Sequence, residues 1–261
     1  MKLRFLGTGA AGSMKRSESE MIEGQRRCSS LLIDGVFVVD LSPQSIDYAD
    51  KLGVDTTAVT DVFLTHSHCD HYKKTMLLSL AKKTKKKLNF WCHKGAIDAL
   101  KLDDEEKELI NLCPVEVMDK WETGGAKITA LAANHIVEGS PEQPLHYIFE
   151  KDRKSLFYGC DGGWFVARTW EYMRKIKLDA IILDATVGDD AGNFRIGTHN
   201  TFPMLKLINS ALFDNKIMDE SGVRIANHIA PSVYDMDEVQ IKELFASIGM
   251  ITAVDGLELE F

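Results

Sequence analysis

Seven consecutive residues, Thr65-His66-Ser67-His68-Cys69-Asp70-His71, constrain this chain more than any other stretch. They follow the apolar run Val62-Phe63-Leu64, so a short buried strand must lead straight into a loop carrying three imidazoles and a carboxylate. The chain has only 8 histidines in 261 residues, which makes a chance cluster of three in six positions a poor explanation. Imidazole and carboxylate together suit zinc, manganese or iron(II). In an extended segment His66 and His68 point to the same side and can hold one ion. Once the chain turns, Asp70 and His71 can face a second one.

The arrangement His-x-His-x-Asp-His at a strand end resembles that of the metallo-β-lactamase-fold hydrolases. The resemblance implies further isolated ligands, each at the end of its own strand. The segment 127–133 reads as a strand and leads to Asn134-His135. Ser155-Leu156-Phe157-Tyr158 leads to the turn Gly159-Cys160-Asp161-Gly162-Gly163, where the family places a bridging Asp. Residues 222–227 lead to His228. The resemblance covers essentially the whole chain. It implies one ion on His66, His68, His135 and Asp161, and another on Asp70, His71, Asp161 and His228. A bridging water or hydroxide would be the nucleophile, because two cations lower its pKa and clamp the substrate oxyanion. Asp70 is accordingly both a ligand and a catalytic candidate. Zinc or manganese is the expected metal, with iron as a further option.

The opening Gly7-Thr8-Gly9-Ala10-Ala11-Gly12 fits a G-x-G-x-x-G fingerprint after the strand at 2–6. A dinucleotide site would also need a helix there, and Ser13-Met14-Lys15-Arg16-Ser17-Glu18-Ser19-Glu20 has no clear apolar stripe. Asp40 ends a later strand, but two strands then stand where one helix should. The Phe-Leu-Gly-Thr-Gly opening is similar to that of the RNase Z and phosphonate-pathway phosphodiesterase branch. That likeness implies a glycine turn along one edge of the active-site cleft.

Strands are predicted at 2–6, 30–40, 61–65, 88–92, 114–118, 127–133, 145–150, 155–159, 179–183, 223–228 and 251–260. Helices are predicted at 43–52, 71–82, 94–112, 164–176, 199–213 and 236–248. Two strand-rich halves, each followed by helices, suggest an α/β (α+β) class: a four-layer αββα sandwich in one domain over 1–261. The 45% hydrophobic and 27% charged residues are ordinary for a soluble globular chain. No stretch reaches the length of a membrane span, and the short apolar run after Lys2 does not read as a signal peptide. Five scattered cysteines suit free thiols in a reducing cytoplasm rather than a disulfide framework. Cys69 and Cys160, although beside ligands, read as packing thiols.

Ile181-Ile182-Leu183-Asp184-Ala185-Thr186, followed by Gly197-Thr198-His199-Asn200, is similar to the same phosphodiesterase branch. The likeness implies that His199 is a general acid to the leaving oxygen and that Asp184 orients a site group or the loop. The other reading of His199 is a helix-capping role, with Thr198 or Asn200 as the cap. His93 and His146 read as structural or solvent-facing. A net charge of −8 gives little footprint for RNA, and the one basic cluster, Lys82 to Lys87, suits a solvated helix end. The expected activity is a dinuclear hydrolase acting on a small or cyclic phosphodiester. A lactonase or thioesterase, a tRNA 3′-processing endonuclease and a non-catalytic metal sensor remain as alternatives. The expected partner is a small-molecule phosphodiester, with nucleic acid second, no membrane, and a homodimer left open.

Overall fold

Apolar runs without strict alternation need cover on both faces, and each central strand here has it. The computed structural model describes residues 1–11, 26–84, 86–190 and 192–261. The first sheet contains β1 (Lys2–Gly7), β2 (Ser30–Ile33), β3 (Phe37–Val39), β4 (Asp61–Phe63), β5 (Leu88–His93) and β6 (Ile110–Val115). The second contains β7 (Lys120–Thr123), β8 (Ala126–Ala132), β9 (Leu145–Lys151), β10 (Lys154–Gly159), β11 (Leu178–Asp184), β12 (Met218–Asn227) and β13 (Ile251–Thr252). The last strand, β14 (Glu258–Glu260), returns to the first sheet. The strand orders are β14-β1-β2-β3-β4-β5-β6 and β13-β12-β11-β10-β9-β8-β7.

Between the sheets lie Phe5, Phe37, Phe63, Ile128, Tyr147, Phe149 and Leu156, all buried. Phe63 meets Phe149 edge-on at 5.0 Å, a favourable ring geometry across the sandwich. Val62 and Leu64, the neighbours of Phe63, face the other way into a cluster with Ile46, Leu77 and Leu80. Those residues belong to α1 (Ser45–Lys51) and α2 (Lys74–Lys83). On the far side, Ile148, Phe157 and Ile181 pack against Leu205, Leu212, Ile241 and Phe245. These come from α5 (Phe202–Asp214) and α6 (Glu238–Ala246), with α4 (Ala167–Met173) beside them. The layers are therefore helix, sheet, sheet, helix, the αββα sandwich expected from the sequence.

β3, β4 and β5 run parallel, as do β10, β11 and β12. Their C-terminal ends gather the loops that carry Asp40, the 65–71 segment, Asp161, Asp184 and His228. Parallel strands deliver such loops to one edge, where α/β folds place their ligands. Two joints tie the sheets together there: Leu145 N–H donates to Thr65 O (2.9 Å), and Ile229 N–H donates to Thr8 O (3.0 Å).

Several expectations need correction. The helix predicted at 94–112 is instead a 3₁₀ turn at Lys94–Leu100, a short α3 at Asp104–Lys107, and then β6. Lys101 breaks the run in a left-handed conformation (φ 52°), and Asp103 with Glu106 forms a capping box that starts α3 anew. β6 consequently begins four residues before the predicted 114–118. As an edge strand it tolerates Pro114. The predicted strand at 251–260 is two strands in different sheets. β7 was missed, although Gly124-Gly125, both at positive φ, mark its hairpin to β8. The helix predicted at 164–176 spans only 167–173, and 30–40 is a hairpin of two strands.

The glycine fingerprint serves a close crossing. A Cβ at Gly7 would lie 1.9 Å from Cys28 O, and Gly9 bridges to Cys28 and Ile229. Gly12 and the stretch 13–20 lie outside the described residues, as does Lys85 of the basic cluster. No helix among the described residues is long and apolar enough to cross a membrane.

Candidate metal centre

Every residue proposed as a ligand converges on one edge of the sandwich. One ligand atom from each of His66, His68, His135 and Asp161 falls within 4.8 Å of the others, and Asp70, His71 and His228 form a second such group. Asp161 joins the two. Its Oδ2 lies 3.4 Å from His66 Nε2, 3.5 Å from His135 Nε2 and 3.4 Å from His71 Nε2. Across the second group, His71 Nε2 and His228 Nε2 face each other at 3.1 Å, with Asp70 Oδ2 at 3.6 and 3.5 Å. Asp161 and His228 sit in left-handed backbone conformations, φ 52° and 56°. Such strain in non-glycine residues is held only where the surroundings fix it, and it concentrates at functional sites.

The hydrogen bonds behind the rings set the tautomers. Asp40 Oδ2 lies 2.8 Å from His71 Nδ1, and a carboxylate only accepts, so Nδ1 carries the proton and the Nε2 lone pair is free. His135 Nδ1 donates to the Thr198 carbonyl (3.1 Å), which frees its Nε2 in the same way. Thr65 Oγ1 donates to Asp40 (2.9 Å) and accepts from His66 Nδ1 (3.0 Å). Thr186 Oγ1 repeats the device, donating to Asp184 Oδ2 (3.0 Å) and accepting from His228 Nδ1 (2.8 Å). With the rings neutral, lone pairs therefore meet lone pairs at the centre, and the carboxylates that favour protonation of His71 and His228 are placed to favour a cation there instead. Asp161 Oδ1, buried and 2.8 Å from His228 Nδ1, has no aligned hydrogen-bond donor. Converging unshared pairs on imidazole and carboxylate fit divalent cations. Carboxylates and hydroxyls behind imidazoles are the usual supports of metal ligands.

Charge divides the cluster. Burial opposes protonation of His71, but Asp161, Asp70 and Asp40 outweigh it and hold its pKa well above the ordinary value. His228 is raised likewise, chiefly by Asp161 against burial. His66 is pushed well below the ordinary value by burial and by the neighbouring His71 charge. Burial also lowers His68 and His135.

His199 stands beside the cluster, its ring parallel to that of His228 at 5.9 Å. Its Nδ1 lies 2.8 Å from Asp184 Oδ2. Burial would depress its pKa, but the Asp184 carboxylate raises it. Thr201 caps α5, so the alternative of a cap at Thr198 or Asn200 does not hold. Asn200 N–H instead donates to Asp184 Oδ1 (3.1 Å). His68, Asp70, His135, Asp161, His199 and His228 all line one cavity of about 410 Å³, with Arg195 and Ala10 on its wall.

Some assignments change. Cys69 is exposed and lines the cavity, so it is not a packing thiol. Cys160 is one: it is buried, and burial pushes its thiol up to about 12. His93 is structural, with Nδ1 accepting from Gly95 N–H (3.1 Å) and Gln143 N–H (3.2 Å). His146 is fully buried rather than solvent-facing, and Nε2 donates to the main-chain oxygen of Asp161 (3.3 Å). Sequence reasoning missed the roles of Asp40, Thr65, Thr186 and Arg195. Asp40 had a signal, a carboxylate ending a buried strand, which was weighed only against the glycine fingerprint.

A family model described as the Beta-lactamase superfamily domain matches residues 31–212. No curated protein matches by sequence. Solved structures similar to this chain include a diphosphatase from the PhnP family (TM-score 0.73, 20% identity, covering 100% of this chain and 96% of that one). Zinc-bound PqqB from Methylobacterium extorquens gives a TM-score of 0.73 at 17% identity, covering 100% of both chains. The short form of human tRNase Z gives 0.68 at 14% identity, covering 100% of this chain and 99% of that one. At these identities the likeness is one of fold. The family match spans more than half of the sequence, and the chain belongs to the β-lactamase superfamily.

Proposed function

We propose that this protein is a dinuclear metal-dependent phosphodiesterase acting on a small or cyclic phosphodiester. The observation that carries the reading is the His199–Asp184 pair, 2.8 Å apart, with His199 on the wall of the cavity that holds the His/Asp cluster. In this reading His66, His68, His135 and Asp161 hold one divalent ion, and Asp70, His71, Asp161 and His228 hold the other. Such ions, when bound, supply hydroxide from water at neutral pH and a positive clamp on the phosphoryl oxygens.

The chain's own residues do the rest. Asp184 accepts from His199 Nδ1 and favours the charged ring, which leaves Nε2–H to protonate a departing alkoxide. A thiolate leaves without a proton, so an acid at this place suits an oxygen leaving group. Arg195 lines the cavity, and a cation there is useful to a charged phosphodiester and of little use to a neutral lactone. A cavity of about 410 Å³ suits a small substrate. The basic cluster is partly neutralised, with Lys83 paired to Asp50 and Lys87 to Glu108. That favours a small molecule over transfer RNA.

A substrate panel tests the reading. The protein, loaded with zinc or manganese, is offered a bis-aryl phosphodiester, a cyclic nucleotide, an aryl monoester, a lactone, a thioester and a precursor tRNA. Diesters should have the highest kcat/KM. A lactone or thioester ahead by a wide margin would replace this reading, as would efficient, salt-sensitive cleavage of the tRNA.

A further inference from the structure

The loop between β8 and β9 carries His135 at one end and a second, unassigned acidic group near the other. Glu142 is buried, 7% exposed, yet makes no ion pair among the described residues. Its carboxylate is satisfied by hydrogen-bond donors instead. Ser67 N–H donates to Oε2 (3.0 Å), the Ser67 hydroxyl donates to Oε1, and the Ser140 hydroxyl donates to Oε1 (3.1 Å). Ser67 is the residue between His66 and His68.

The loop is itself closed and anchored. Ala133 N–H donates to Pro144 O (2.9 Å), and the Gln143 side chain donates to Ala133 O (2.9 Å). Packing leaves the loop no slack beside Glu142: a Cβ on Gly95 would lie 2.7 Å from Glu142 N and from Pro141. An anchored carboxylate gripping both donors of Ser67 fixes the His66–Ser67 peptide and the Ser67 side chain, and with them the turn of chain that aims His66 and His68. It also places a negative charge near His68, where it favours a cation.

We infer that Glu142 is a positioning residue for one half of the metal centre: through Ser67 it sets His66 and His68 against His135 and so supports the ion those three would hold. The inference rests on the dinuclear reading above. It predicts a selective defect, because Glu142 touches nothing in the Asp70–His71–His228 group.

Stepwise zinc dissociation constants, measured by competition with a chromogenic chelator, test it on the apo protein. Glu142→Ala should weaken one constant by about 10–100-fold, the range for lost supports of metal ligands, and leave the other unchanged. The pattern should match that of His68→Ala and differ from that of Asp70→Ala. Equal weakening of both constants, or of neither, overturns the inference. Should Glu142→Ala fail to fold, Glu142→Gln is measured against the same criterion, since it keeps the volume but loses the charge and one acceptor. The wild type tests the dinuclear reading separately. If it binds a single ion, that reading fails, while a weakened constant in Glu142→Gln still supports the role of Glu142 and an unchanged one still overturns it.

Discussion

The half of the centre built by Asp70, His71 and His228 is wired differently from the half built by His66, His68 and His135. In the first, all three residues are buried, and carboxylates stand close behind: Asp40 touches His71, and Asp184 reaches His228 through Thr186. Its imidazoles are held toward the charged form. In the second, His68 is half-buried, and all three imidazoles are shifted toward the neutral form. His135 leans on a main-chain carbonyl, that of Thr198, in the segment that also presents His199. The deep half is thus set by buried charge and the shallow half by loops that form the cavity wall. Changes in charge should fall on the first, and changes in loop geometry on the second.

The largest effect should come from removing what the halves share. Asp161→Ala should drop bound metal from two ions to below one and cut activity on the order of 10³-fold, the scale of losing a preorganised charge at a reacting centre. A variant that keeps one half fully loaded would show the halves to be independent.

Next comes His199, which belongs to neither half. His199→Ala should retain its metal and lose about 10²–10⁴-fold in kcat on an alkyl-leaving diester, with little loss on an activated aryl one. Equal losses on both substrates would remove His199 as the acid. Its raised pKa has a further consequence in the wild type. The acid form persists below that pKa, so the alkyl rate should fall as pH rises through it. Asp184→Asn should move that fall to lower pH.

A smaller and selective effect is expected at Asp40. Asp40→Asn removes the charge behind His71 and should weaken one zinc constant by about 10–100-fold. The other constant should change less, because Asp40 reaches His66 only through Thr65. Equal weakening would break the contrast between the halves. Smallest of all, Asp237→Ala removes the cap of α6, remote from both. It should cost about 1 kcal/mol in thermal unfolding and leave metal binding untouched.

Much of this cluster was legible in the sequence because its candidate ligands stand next to strand patterns. His66, His68, Asp70 and His71 fall in one segment, and His135, Asp161 and His228 each follow an apolar run. The supports were less legible because nothing local distinguishes them. Asp40 lies 31 residues from His71, and Glu142 lies 75 from Ser67. Their roles arise only when the sheets meet, as where Leu145 bonds Thr65. The fold was legible in the same graded way. Long buried strands such as β9 and β11 were found, while 94–112 was misread because a left-handed Lys101 and a fresh capping box interrupt what looks like one helical stretch.

In the proposed centre two ions share Asp161. Elemental analysis of the wild-type protein after zinc reconstitution and removal of excess metal tests it most directly. Two equivalents per chain, both removed by a chelator with loss of diester hydrolysis, is the predicted result. Saturation at one equivalent would contradict it.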